Sequence, residues 1–355
     1  MSASDVARRI AAFEFASRAS DLIFGNVYAL PRVPRPSVRD RENPMERYND
    51  GQFLARYRFT KETVRELLAM LPLQASADNR GLPLPPMLQL LVTLRFYGAG
   101  TFQIVTGDLV NVSQPTVCRT VGVVTRLIAR HLFKELVHFP DASQLNTVMR
   151  EFFEIARFPG VTGCIDCTHV RINSPGGDDA EVYRNRKGVF SINVQVGSHR
   201  IFDNSRLRVM YEEHRLPGHL LGDMGYACFP FLMTPLPQPV KADTPRGRQA
   251  HIKTRNSVER AFGVWKRRFP CLDMRLQHKP GRSASIVTAC AALHNLACLR
   301  REPQPPPPPP PPVRRRVRNR RRARRLVHLP PVDAVEDTLT GIQTREIIIE
   351  KSFTY

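Results

Sequence analysis

Apolar residues recur at helical spacing through the first third of the chain, and the rhythm changes to alternation after residue 160. Thr60 with Glu62 in the first turn marks a helix start. Val64, Leu67, Leu68 and Leu71 then form its apolar face. The segment that contains it, "ERYNDGQFLARYRFTKETVRELLAML", reads as helical in its second half. "NRGLPLPP" interrupts the chain before a second helical run, "MLQLLVTLRFYG". Thr101–Leu132 predicts a short helix over Gln103–Val110, a break at Asn111–Val112 and a second helix after Ser113. Ser113 suits an N-cap and Pro115 the first turn. Val117, Val121, Val124 and Ile128 give the second helix a buried stripe.

A further helix ends at Pro159-Gly160. "VTGCIDCTHVRI" (161–172) then predicts one strand of β-branched residues, "GVFSINVQV" (188–196) a second, "HLLGDMGYACF" (219–229) a third and "FLMTPL" a fourth. A helix over 254–269 and another, "ASIVTACAALHNLACL", complete an α/β region. Eight prolines, Pro305–Pro312, predict a stiff polyproline spacer. They lead into "RRRVRNRRRARR", a solvated basic arm suited to nuclear import or nucleic acid. "GIQTREIIIEKSF" reads as a short docking helix. The expected division is a basic arm over 1–45, a helical region over 46–135, an α/β domain over 140–300, a low-complexity linker over 301–330 and a tail over 331–355.

Charge narrows the partners. The 355 residues carry 53 Lys and Arg against 32 Asp and Glu, a net +21, which favours polyanions such as DNA. No apolar run approaches the roughly 18–20 residues that span a bilayer, so no membrane partner is expected. Seven cysteines fit reduced thiols better than a disulfide framework. The helix–break–helix pattern over 103–132 fits a helix-turn-helix, whose second helix would present Gln114, Thr116 and Arg119 to base edges, with Thr120 and Arg126 nearer phosphates. An ordinary helical hairpin has the same pattern.

Three acids stand out. An ionised Asp166 within an apolar strand is costly unless paired or bound to a cation. Asp223 falls near the C-terminal end of a strand, where α/β sheets bind ligands. Glu259 flanks the apolar stripe Val258, Phe262, Trp265 and Phe269, beside Gly263. Two Asp and one Glu are the oxygen donors Mg²⁺ prefers, and a pair of such ions cleaves phosphodiesters. Arg255, Arg260, Lys266, Arg267 and Arg268 would hold phosphates. Each acid also has a plain structural reading: a hydrogen-bonded carboxylate for Asp166, a turn cap for Asp223, a helical salt bridge to Arg255 for Glu259. The residues alone leave both readings open. Cys164 and Cys167 form a CxxC with no second pair at a zinc spacing, and alternation puts them on opposite faces. His169 lies across the strand from Asp166, and His294 reads as a buried core histidine.

"GCIDCTHV", "YRNRKGVFSINVQV", "RIFDNSRL", "LLGDMGY", "NSVERAFGVWKRRFPCL" and "ALHN", in this order over Asn43–Leu299, resemble the Harbinger transposase-derived nucleases, relatives of the PIF/Harbinger DDE transposases. The resemblance implies an RNase H-like nuclease domain preceded by an all-helical, helix-turn-helix-type domain. It implies DNA strand cleavage with a divalent cation, Mg²⁺ or Mn²⁺, and it puts the catalytic and metal-binding triad on Asp166, Asp223 and Glu259. The last two have 35 residues between them, as the family pattern requires. It further implies a Myb-like DNA-binding partner. A nuclear location is expected, with the cytoplasm as a second compartment.

The chain departs from the family in one place. "SINVQV" runs at once into "GSHRIFDNSRL", so no residues remain between Val196 and Phe202 for a third antiparallel strand. Loss of that strand would expose a sheet edge. It motivates a second expectation, a catalytically degenerate, domesticated DNA-binding protein. A weaker third is a basic protein that associates with membranes or RNA through its tail alone.

Overall fold

In the computed structural model, residues 43–74, 84–100, 112–196, 206–235, 244–306 and 339–353 are described. The chain forms two units. Met1–Arg39 with Ser76–Leu84 lies almost wholly outside the described residues, and everything below concerns Asp40–Ala75 with Pro85–Tyr355. The expected helix over 103–110, the basic N-terminal arm, most of the polyproline run and the arginine-rich segment also fall outside the described residues.

Helix starts follow local chemistry. α1 (Pro44–Arg47) begins where the Asn43 side chain accepts from the Met45 N–H. α2 (Asp50–Tyr57) begins with a capping box, in which Asn49 Oδ1 accepts from the Gln52 N–H and Gln52 Oε1 from the Asn49 N–H. The sequence reading passed over α2, although the "NDGQ" spacing signals it. α3 (Lys61–Ala69) starts at Thr60, whose Oγ1 accepts from the Thr63 N–H, as expected. α4 (Pro86–Ala99) and α5 (Gln114–His131) follow, then α6 (Phe133–Leu136) and α7 (Ala142–Ala156), the last with an Asp141–Gln144 capping box. At the start of α5, Ser113 makes no cap bond to the backbone and pairs instead with the Thr116 hydroxyl at 3.0 Å.

The expected single strand over 161–172 is two. β1 (Val161–Cys164) and β2 (Asp166–Arg171) are separated by Ile165. The burial pattern changes phase across the break: Val161 and Ile165 are buried before it, Val170 and Ile172 after it. β3 (Ser191–Val196) pairs antiparallel with β2, and no third strand pairs with β3 among the described residues. α8 (Arg206–Glu212) leads to β4 (His219–Leu221) and β5 (Leu232–Met233). Both are far shorter than the runs predicted for them. β1, β4 and β5 form a parallel three-stranded sheet in the order β1-β4-β5. α9 (Thr244–Arg268) starts ten residues earlier than expected. α10 (Pro280–Leu299) and α11 (Leu339–Phe353) complete the chain.

One apolar cluster joins α1–α5 to β2, α9 and α10. Its members run from Met45 through Val117, Val121, Val124 and Ile128 to Val258, Trp265, Phe269, Leu293 and Ala297. The core therefore crosses the boundary drawn between 135 and 140. α4 and α10 are apolar on nearly all sides because other elements enclose them. No helix among the described residues is long and apolar enough to cross a membrane. The result is a mixed helical and sheet fold.

Candidate active site

Strand register gives Asp166 and Asp223 corresponding places beyond adjacent strands. Cys164 pairs with Leu221 in the parallel β1–β4 ladder. The Ile165 N–H donates to the Leu221 carbonyl at 2.8 Å, the last bond of that ladder. Asp166 and Asp223 each stand two residues beyond the Cys164–Leu221 pair, at the carboxyl ends of strands that run about 4.8 Å apart. Asp166 does not sit mid-strand, as predicted, but opens β2 where the chain leaves one sheet for the other. Asp223 lies past the end of β4 in the turn. There its Oδ1 accepts from the Gly225 N–H at 2.9 Å.

Tyr226 joins this pair. Its hydroxyl lies 3.6 Å from Cys167 Sγ. Burial is the main cause that raises the Tyr226 pKa, Cys167 adds to it, and the negative charges of Asp223 and Asp166 push the same way. Tyr226 is thus a neutral phenol close to two acids. Sequence reasoning missed it. The available signal was the turn "GDMGY" itself, which closes on Tyr226 directly after Gly225 and folds it back toward Asp223.

Glu259 reaches the site through Arg255. The Arg255 guanidinium donates from Nη1 to Asp166 Oδ2 at 2.8 Å and from Nη2 to Glu259 Oε1 at 2.5 Å. Arg255 and Asp166 are 15% and 17% exposed, whereas Glu259 is half exposed. The helical spacing of Arg255 and Glu259 puts both on one face of α9. A Cβ at Gly263 would meet only the tip of Arg267, at 3.4 Å from Nη1.

The remaining residues of interest spread out. Lys266 Nζ donates to the His169 carbonyl at 3.0 Å. His169 itself has its pKa lowered by burial and then by Lys266 and Lys187. Arg267 is partly buried. On α5, Gln114 and Arg119 are exposed, and Thr116 is half-buried and accepts from Arg119 Nη2 at 3.3 Å. Cys164 and Cys167 point to different neighbours, Thr254 with Ser257 and Tyr226 respectively. Burial raises the Cys164 thiol to about 11. His294 is half-buried, and burial lowers it to about 4.

The donor set suits a hard divalent cation by chemistry, three carboxylates with no soft ligand among them. As the side chains stand, Arg255 fills the space between Asp166 and Glu259. No group of three His, Cys, Asp or Glu residues among the described residues is placed to hold an ion.

Residues 197–295 match a family described as "DDE superfamily endonuclease", a span that contains Asp223 and Glu259 and begins beyond Asp166. The protein named "Putative nuclease HARBI1" from Bos taurus is 31% identical over 274 residues, covering 70% of this chain and 78% of the relative. Those of the same name from Mus musculus and Xenopus laevis are each 32% identical, over 274 and 273 residues, with the same coverage. No solved structure matches the chain. With two of the three acids inside a matched endonuclease span and relatives aligned over most of both chains, the protein belongs to the Harbinger transposase-derived nuclease family.

Proposed function

We propose that this chain is a metal-dependent DNA endonuclease that hydrolyses phosphodiester bonds at Asp166, Asp223 and Glu259. The observation that carries the reading is register. Each aspartate stands two residues beyond the last pair of the adjacent parallel strands β1 and β4, and a helix brings the glutamate to one of them through Arg255. That is the plan of an RNase H-like site, in which strand ends and one helix converge.

Asp166, Asp223 and Glu259 would hold Mg²⁺ or Mn²⁺, which supplies a more acidic water and neutralises charge on the phosphate and the leaving oxygen. The protein's own groups do the rest. One oxygen of Asp223 is held within its turn by the Gly225 N–H. Tyr226 stays protonated and can donate to a phosphate oxygen. Lys266, whose Nζ donates to the His169 carbonyl on β2, and the exposed Lys187 are cations suited to a nucleic acid backbone. Gln114, Thr116 and Arg119 on α5, with Arg255 and Arg267 on α9, are the further proposed DNA contacts. A nuclear location and a Myb-like DNA-binding partner belong to the same proposal.

The test is nicking of supercoiled plasmid with Mg²⁺. Wild type should nick, and Asp166→Asn, Asp223→Asn and Glu259→Gln should each lose at least about a hundredfold in rate. Equal cleavage by Glu259→Gln would remove Glu259 from the site. A second reading, a degenerate DNA-binding protein, is favoured by the unpaired edge of β3 among the described residues. It requires salt-sensitive DNA binding that EDTA leaves unchanged, with no nicking.

A further inference from the structure

We propose that Arg255 is a built-in counter-ion that closes the carboxylate site, so that a divalent cation binds only by displacing its guanidinium. This rests on the triad reading above and adds a competitor to it. Asp166 and Glu259 each give one oxygen to a separate nitrogen of the same guanidinium, at 2.8 and 2.5 Å. Two oxygens that share one Mg²⁺ must each lie about 2.0–2.1 Å from a single point. The guanidinium lies in the gap between the carboxylates, and both cannot be there together. The described residues accordingly show no ready ion-binding group, although acids of the right kind are adjacent.

The exchange is sensible electrostatically. Two carboxylates brought together, one of them largely buried, repel each other, and the cost grows as water is excluded. Arg255 removes that cost in the metal-free protein. Its side chain is only 15% exposed, so it is held in place rather than waving in solvent. An incoming ion of charge +2 replaces a charge of +1, with no proton lost or gained, since the guanidinium stays charged throughout. The same swap frees a planar cation next to the metal site, suited to a phosphate oxygen. Arg255 then positions the two carboxylates until a metal displaces it, and metal enters only the fraction of molecules in which the guanidinium has swung away. A site that is closed most of the time has its apparent affinity reduced by the open fraction, about 10- to 100-fold for an open fraction of about 10% to 1%.

The experiment measures binding of Mn²⁺ to the full chain from the electron paramagnetic resonance signal of the free ion, alongside thermal melts with and without the metal. Arg255→Met should bind Mn²⁺ about tenfold or more tightly than wild type. It should melt lower than wild type without metal and recover when metal is added. Arg255→Lys keeps the charge without the two-pronged contact and should fall between the two, which keeps the test open if the Met variant folds poorly. Asp166→Asn should abolish binding in the wild-type and Met backgrounds alike. Equal or weaker Mn²⁺ binding by both Arg255 variants, with binding still lost in Asp166→Asn, overturns the competition and leaves the triad standing. Mn²⁺ binding that survives Asp166→Asn and Glu259→Gln overturns the triad reading itself, and the competition with it.

Discussion

At the residue scale, the most consequential side chains outside the site are two buried histidines. His219 and His251 flank Phe158, with ring centroids 5.8 and 5.9 Å from its ring. Burial lowers His219 to about 4, and the neighbouring His251 adds to the shift. Burial likewise lowers His251 to about 4 against the pull of the Met233 carbonyl, with Arg255 and Arg345 adding to the lowering. Both are neutral when folded, and the unfolded chain protonates first, near 6.5. Their contribution is therefore fully present above about pH 6.5 and is lost as the pH falls toward 4, on the order of 3 kcal/mol each at about 1.4 kcal/mol per unit. Urea unfolding at pH 7 and pH 4.5 should show that loss, and His219→Gln should make the profile flatter. A second residue-scale prediction concerns Tyr97, fully buried, whose hydroxyl lies 2.6 Å from Thr125 Oγ1. Tyr97→Phe strands that threonine and should cost about 1–2 kcal/mol in the same assay.

At the element scale, close backbone approach decides which joints tolerate change. Gly218 leads into β4 with φ +76, and a Cβ there would meet the Gly160 carbonyl at 2.5 Å. Gly218→Ala should cost about 2–4 kcal/mol from the left-handed backbone and the clash together. Because it precedes the strand that leads to Asp223, it should lower nicking as well as the melting temperature. Helix α11 docks in a similar way. Gly341 rests on the Cys228 carbonyl, and the buried Arg345 donates from Nη1 to the Thr234 carbonyl and hydroxyl. This docking helix was legible in the sequence as a short segment mixing apolar and polar residues. The break at Ile165 was not, because every residue from Val161 to Ile172 suits a strand and only the change of pairing partner divides them.

At the scale of the whole molecule, the shared core predicts shared unfolding. Phe269 is fully buried, packs near Phe59 and Tyr97 from the helical region, and follows directly on α9. Phe269→Ala should cost about 3–5 kcal/mol. The helical region and the carboxylate site should melt together in one transition, seen alike by Trp265 fluorescence and far-ultraviolet circular dichroism. Two separate transitions would show that the regions are energetically independent. The net charge of +21 acts over the same scale. The proposed DNA binding should weaken linearly in log affinity against log salt, and a flat dependence would remove phosphate contacts from the account.

The sequence alone determined the helix starts at Thr60 and Ser113, the buried stripes of α5 and α9 and the basic charge. These follow from spacing, capping chemistry and composition, all local along the chain. Only the tertiary structure decided how the acids meet. Asp166 and Asp223 take corresponding places beyond adjacent strands through the register of β1 and β4, which no local signal encodes. Arg255 was legible as one cation among several. Its place between Asp166 and Glu259 depends on how α9 packs against the strand ends, and long-range packing alone sets that distance.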